Sequence, residues 1–307
     1  MPFDKVHHEI SDLMLSDERF IGVLAPRKIG KTPLICFSYP LRQILYNLET
    51  YIVIISATKD EESARHVNKI TTTIESSEII HYYYGKLVVR RGLETQKGSV
   101  QFANRIWLRA KGVYSQIRGT GGDWSPPSLI IVDDPQSDKD VRTEKSVVEA
   151  WNWFQDEVIY SVAQKWKHPY YNVIKPGKIR FLGTSLHPLC LAEKVYKDKR
   201  FKALRYAMLV DEEGKPCLEK GRARSIWEDM FPTEYLLEEM AAADAENTLA
   251  NWLQERMNMP RQYGDRFFDI DNIGNWDVGT NRFDIVMGQP VLVLDEDLGL
   301  QGGQYAN

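Results

Sequence analysis

Cysteine is scarce in this chain of 307 residues: Cys36, Cys190 and Cys217 stand far apart, with no C-x-x-C spacing. That excludes a disulfide framework and a conventional zinc site, and it points to a reducing compartment. Long apolar runs are missing as well. No stretch approaches the ~18 residues that would cross a bilayer, and the opening Met-Pro-Phe-Asp-Lys-Val-His-His has no apolar signal region. The expectation is cytosolic chemistry, neither secreted nor membrane-embedded. Positive charge is not in excess either. A formal net charge of −4 excludes a generally basic polyanion-coating protein, so contact with nucleic acid has to come from local patches. There is no internal repeat of fixed period. What remains is 43% hydrophobic, 27% charged and 11% aromatic, an ordinary globular composition long enough for one large domain or two modest ones.

Against that background, apolar runs alternate with helical patterns. Val6, Ile10, Leu13 and Met14 recur at helical spacing. Phe20 to Leu24 reads as a buried strand, Pro33 to Leu48 as a helix, and Tyr51 to Ala57 as a second buried strand. Thr58 is placed to cap a helix running to about Ser77. Shorter strands with an antiparallel character fall at Lys86–Arg91, Gly98–Phe102 and Ile106–Ala110. Ser128 to Pro135 is a central parallel strand, and Thr143 to about Gln164 reads as one long helix. Lys178–Gly183 and Phe201–Val210 are further strands, with a helix over Leu189–Lys197 between them. Thr233–Met240, capped by Thr233, and Ala245–Met257 are closing helices stopped by Pro260. Gly, Asp and Asn then become frequent before a last strand candidate, Pro290 to Leu294. The pattern predicts an α/β fold with a mostly parallel sheet flanked by helices.

Chemistry collects where strands end. Between the first strand and its helix lies Ala25-Pro-Arg-Lys-Ile-Gly-Lys-Thr32, which fits G-x-x-x-x-G-K-[ST] except for Ala25 in place of the first glycine. In such a loop, spanning Pro26, Arg27, Lys28, Ile29, Gly30, Lys31 and Thr32, the available backbone N–H groups surround phosphates, Lys31 reaches the β/γ oxygens, and the Thr32 hydroxyl coordinates Mg²⁺. The strand Leu129-Ile-Ile-Val-Asp-Asp-Pro135 delivers two carboxylates at the sheet edge where ligands of open α/β sheets bind. Asp133 suits Mg²⁺ as a hard oxygen ligand, and Asp134 is positioned to activate water. A strand-ending turn is the plainer reading of that pair taken alone. Arg27, inside the loop, and Arg118, in Ser115-Gln-Ile-Arg-Gly-Thr-Gly-Gly-Asp123, are two candidates to stabilise charge in phosphoryl transfer. Gly183, Thr184 and Ser185 end a strand, and there either sense a γ-phosphate or cap the next helix. Lys194, Lys197, Lys199, Arg200, Lys202 and Arg205, then Lys220, Arg222 and Arg224, form basic stretches. These read first as a solvated face and second as phosphate-backbone contacts. Trp151, Trp153 and Trp166 read as core and interface residues.

Taken together, Pro26-Arg-Lys-Ile-Gly-Lys-Thr32, Gln116-Ile-Arg-Gly119, Leu129 to Pro135, Phe181-Leu-Gly-Thr-Ser-Leu-His187 and Leu253-Gln-Glu-Arg-Met-Asn-Met-Pro260 resemble the large terminase subunit of tailed bacteriophages, in its ATPase domain. In order and spacing they cover about residues 2–260. The resemblance implies a P-loop NTPase that binds ATP and Mg²⁺ and packages double-stranded DNA from the host cytoplasm. It would work as a ring on the portal of a procapsid, with a small terminase subunit as partner. Lys31 and Thr32 fall on Walker A, Asp133 and Asp134 on the Walker B ligand and catalytic carboxylate. Arg27 falls on the loop arginine, Arg118 on a candidate finger acting in cis or in trans, and Gly183, Thr184 and Ser185 on the coupling motif. Pro2 to Ile10 lies where the family contacts adenine, without a clean motif.

On this reading residues 1–260 form the ATPase domain, with a core over about 20–210 and a helical lid or linker over about 211–260. Residues 261–307 form a linker with the start or a remnant of a nuclease. Asp295 stands where the family has a first nuclease aspartate, but about fifty residues after Pro260 leave no room for the others, so no DNA cleavage is expected. Two other functions share these motifs: a helicase-like translocase, and a nucleotide-gated adaptor that binds DNA without hydrolysis.

Overall fold

The computed structural model describes residues 4–58, 62–87, 98–117, 125–170 and 172–260, and the backbone of 282–286 and 289–293. The chain forms two compact units, Met1–Tyr263 and Gly264–Asn307. Within the second, strands Arg282–Val286 and Gln289–Val293 pair antiparallel; Asp295 lies outside the described residues.

The first unit is built on a seven-stranded sheet. Its strands are Phe20–Leu24 (β1), Tyr51–Ser56 (β2), Ser99–Gln101 (β3), Trp107–Gly112 (β4), Leu129–Asp133 (β5), Lys178–Gly183 (β8) and Lys202–Arg205 (β9). Two small strands, Trp166–Lys167 (β6) and Ile174–Lys175 (β7), pair only with each other. The order across the sheet is β3-β4-β2-β5-β8-β1-β9. Every pairing is parallel except β3 with β4. β1, β2 and β5 are buried along their whole length, as expected of parallel strands covered on both faces. Alternate residues feed two cores. Ile52, Ile54, Ile131 and Leu182 pack with Val6, Ile10, Ile70 and Trp252, while Val53, Ile55, Val132 and Phe181 pack with Phe154, Val158 and Val195. Register then decides function: Leu24 is level with Gly183, Asp133 with Leu182, and Ser56 with Asp133. The C-terminal ends of four strands thus arrive at one edge.

The helices are Lys5–Leu15 (α1), Tyr39–Leu45 (α2), Ala64–Ser76 (α3), Glu78–Tyr84 (α4), Glu144–Trp153 (α5), Leu191–Lys197 (α6), Thr233–Ala245 (α7) and Leu249–Met257 (α8). Several depart from the sequence expectations. The helix after the loop Ala25–Thr32 opens with a π-helical turn, Pro33–Ser38. Pro40 has no N–H to take the carbonyl of Cys36, and the Tyr39 N–H reaches back to Leu34 instead. The long helix read over Thr143 to Gln164 ends early. α5 passes into a second π turn, Phe154–Ile159, closed by Tyr160 N–H donating to Gln155 O at 3.3 Å. α4 was not foreseen. The strand read over Phe201–Val210 breaks into β9 and a short Leu209–Val210 (β10), which pairs with Arg224–Ser225 (β11). Thr233 does not cap α7. Its hydroxyl accepts from Ser225 N–H at 2.8 Å and donates to Glu228 at 2.7 Å, and Pro232 takes the cap position. Lys86 and Leu87 are not in a strand, and residues 88–91 of that expectation lie outside the described residues.

Candidate active site

The loop between β1 and the first helix bends through two left-handed residues, Lys28 at φ 69° and Gly30 at φ 80°. Gly30 suits its left-handed φ without strain, and a Cβ there would also press on His7 Nε2 at 3.3 Å. His7, on α1, holds the loop from behind, its Nε2 2.9 Å from the carbonyl of Ile29. The segment near the N-terminus therefore reaches the loop through an imidazole.

Lys31 is only 5% exposed. A buried ammonium has three N–H donors to satisfy, and each finds an acceptor. Nζ donates to Ala25 O at 3.0 Å and to Thr184 Oγ1 at 2.7 Å, and it lies 3.2 Å from Asp134 Oδ2. β8 runs between β1 and β5, so Thr184 arrives between the loop and the paired carboxylates. The Thr32 hydroxyl donates to Asp133 Oδ1 at 3.3 Å. Hydroxyl plus carboxylate is a donor set for a hard divalent cation, and the loop's free N–H groups suit a polyphosphate.

Asp134 departs from strand geometry. Its φ of 38° turns the chain sharply, and its N–H donates to Leu182 O at 3.1 Å. A left-handed aspartate at a strand end stores backbone strain of the kind found at functional sites. Here the turn swings the carboxylate, 40% exposed, over Lys31 and beside Thr184 Oγ1 at 3.4 Å.

Residues with no local motif complete the surroundings. His66, on α3, places Nε2 3.2 Å from Asp133 Oδ2. Cys36 lies beside the same carboxylate, and burial first, then Asp133, pushes its thiol well above the usual range. Cys36, His66 and Asp133 are the one group of three among the described residues whose potential metal-ligand atoms lie within 4.8 Å of one another. Ser185 is buried behind Thr184. Its hydroxyl donates to Glu193, and its N–H donates to Asn258 Oδ1 at 2.7 Å. Asn258, at φ 54°, ends α8, so the strand that carries Thr184 is tied directly to the last helix. Gly183 is needed for packing. A Cβ there would sit 2.8 Å from the Phe181 ring and 3.0 Å from Ala192 Cβ.

The two arginines fare differently. Arg27 points to α8, its Nη1 2.9 Å from Glu255 Oε1; Arg118 lies outside the described residues. In the basic stretches, Arg205 pairs with Glu193, Arg200 with Asp198 and Arg222 with Glu219, and Lys194 sits over Trp151 at 5.7 Å. Much of that charge is committed within the fold.

The loop, the carboxylates on β5 and the interposed β8 meet at one edge of a mostly parallel α/β sheet flanked by helices. No protein-family model and no curated protein matches the chain. Among solved structures it is similar to a large terminase ATPase domain mutant of Thermus phage P74-26, at 12% identity and TM-score 0.48 over 83% of this chain and 93% of that one. It is also similar to a large terminase from a thermophilic bacteriophage, at 13% identity and TM-score 0.41 over 72% of this chain and 49% of that one. A third is the Phi-28 gp11 DNA packaging motor, at 13% identity and TM-score 0.36 over 82% and 70%.

Proposed function

We propose that the chain is the ATP-hydrolysing motor domain of a phage large terminase, using ATP as substrate to drive double-stranded DNA into a procapsid. The observation that carries hydrolysis is the convergence of Lys31, Thr32, Asp133, Asp134 and Thr184 from three neighbouring strand ends. The order Ile-Arg-Gly, Val-Asp-Asp-Pro, Gly-Thr-Ser-x-His supports packaging rather than another motor task.

In this reading the N–H groups of Lys28 to Thr32 bind the phosphates and Lys31 orients the β/γ oxygens. Thr32 and Asp133 hold Mg²⁺, with His66 fixing the outer oxygen of Asp133. When bound, that cation neutralises charge on the transferring phosphoryl group. Asp134 orients the attacking water and accepts its proton, help typically worth about 10²–10⁴ in rate. Arg27 leaves Glu255 to read the γ-phosphate, and Arg118 is the second candidate for that charge. Thr184 senses the state of Lys31 and Asp134 and passes it through Ser185 to Glu193 and Asn258. Residues 20–210 serve as the core and 211–260 as the moving lid. A ring on the portal and a small-subunit partner belong to the same proposal.

Phosphate release is the test. Asp134→Asn keeps a residue that tolerates φ > 0, so the turn should survive. The expected result is ATP binding retained with turnover reduced about 100-fold or more. Wild-type turnover in this variant would remove Asp134 as the base. Strand separation on a forked substrate, without stimulation by a procapsid, would favour a helicase-like translocase.

A further inference from the structure

A cavity lies away from this edge, among the N-terminal ends of β2, β4 and β5. It encloses about 790 Å³, with walls that include Glu49, Arg105, Trp107, Trp166, Lys167 and Tyr170. β2, with 6 residues, separates the two edges by about 20 Å at ~3.3 Å per residue. The cavity exists because the β6–β7 hairpin is held under the sheet. Buried His168 brings Nε2 2.6 Å from Asn47 O, and its ring lies between those of Trp166 and Tyr170, 5.6 and 6.1 Å away.

We infer that this cleft is a second ligand site, built for an unpaired nucleotide, free or at the end of a single strand. Two observations combine. Arg105, Lys165 and Lys167 are exposed on its wall, and none is ion-paired among the described residues. Trp166 and Tyr170 add aromatic surface to the same wall, the combination that stacks bases while tracking a phosphate backbone. The volume suits a small ligand and is too confined for a duplex. An acidic peptide would meet the cations but gain nothing from the rings. The site does not depend on the hydrolytic reading, since its residues are distant from Lys31 and Asp134.

Fluorescence anisotropy of a labelled short oligothymidylate tests this, with a blunt duplex of the same length, thymidine 5′-monophosphate and polyglutamate as competitors. Three variants report. Trp166→Ala should weaken binding about 5- to 150-fold, the range for loss of one stacked base. Lys167→Glu and Arg105→Gly should also weaken it, and each should make the salt dependence shallower by about 0.7 in log–log slope. Lys167 is exposed, and Arg105 sits at φ 67°, where glycine is unstrained, so these two variants fold even where Trp166→Ala does not. ATP turnover without DNA should match wild type in all three. Competition by the monophosphate would identify a free nucleotide as occupant, and binding of the oligomer alone would identify a strand; both support the site. Oligomer binding indifferent to all three substitutions would overturn it, as would duplex or polyglutamate binding that is equally sensitive to them.

Discussion

Lys31 shows how one residue can be bound into the fold and indispensable to the site. Its charge is buried, and Ala25 O, Thr184 Oγ1 and Asp134 accept its three N–H groups. Removing one partner of a buried charge pair leaves the other uncompensated and is destabilising, a cost reduced here because Asp134 is 40% exposed and can be solvated. Lys31→Met is therefore expected to abolish ATP binding and turnover and to lower the thermal midpoint. Nucleotide titration followed by thermal melting checks both halves, and an unchanged or raised midpoint would show that the ammonium contributes nothing to the fold. Glu49 is the opposite case, an acid whose carboxyl burial pushes up to about 7 against the pull of Lys178, Ser128, Arg180 and Lys175. A raised acid means that the folded state holds its proton while the unfolded state has lost it. Stability from this group is thus fully present below pH ~4.5 and declines as pH rises to about 7. At about 1.4 kcal/mol per pKa unit the decline is about 3–4 kcal/mol. In urea unfolding, the difference between wild type and Glu49→Gln should slope across that window and flatten above it. Lys31 and Thr32 were legible in the sequence through the Gly-Lys-Thr pattern, and Asp133, Asp134 and Thr184 because they follow the apolar runs of β5 and β8. His7, His66, Glu193 and Asn258 were not, because only the fold brings them to those ends.

At the scale of elements, the buried strands read correctly because four to six consecutive apolar residues leave few alternatives. The helices read less well. A π turn preserves apolar periodicity while changing which N–H meets which carbonyl, so Phe154–Ile159 looked like a continuation of α5. The turn at Pro33–Ser38 is useful to the site, since it lies where Cys36 meets Asp133; π turns are frequent at functional positions. The contact of β8 with α6 is tight enough to test. In Gly183→Ala the new methyl would press on Phe181, itself fully buried against Phe154 with ring centroids 5.7 Å apart. Overpacking of this kind costs about 1–3 kcal/mol, a fall of several degrees in thermal midpoint for a domain of this size. An unchanged midpoint would mean that the helix can move outward freely.

Over the whole first unit, α8 is the helix tied to the candidate site at two points. It touches that edge through Glu255 on Arg27 and Asn258 on Ser185. Arg256 braces it against α7 by a two-pronged pairing with Glu239 at 2.6 and 2.7 Å. The two links differ in kind. Arg27 and Glu255 are 49% and 34% exposed, so their pairing adds little to stability and is cheap to exchange for another anion. Asn258 is buried, and loss of its side chain leaves the Ser185 N–H without an acceptor, at about 1–3 kcal/mol. Asn258→Gly isolates this link, because glycine keeps the left-handed turn at φ 54° without strain. If hydrolysis is transmitted through β8 to α8, this variant should still turn over ATP near its basal rate but lose stimulation by double-stranded DNA. ATPase assays with and without DNA separate the outcomes. An equal fall in both rates would make Asn258 a support of the catalytic edge rather than a transmitter of its state.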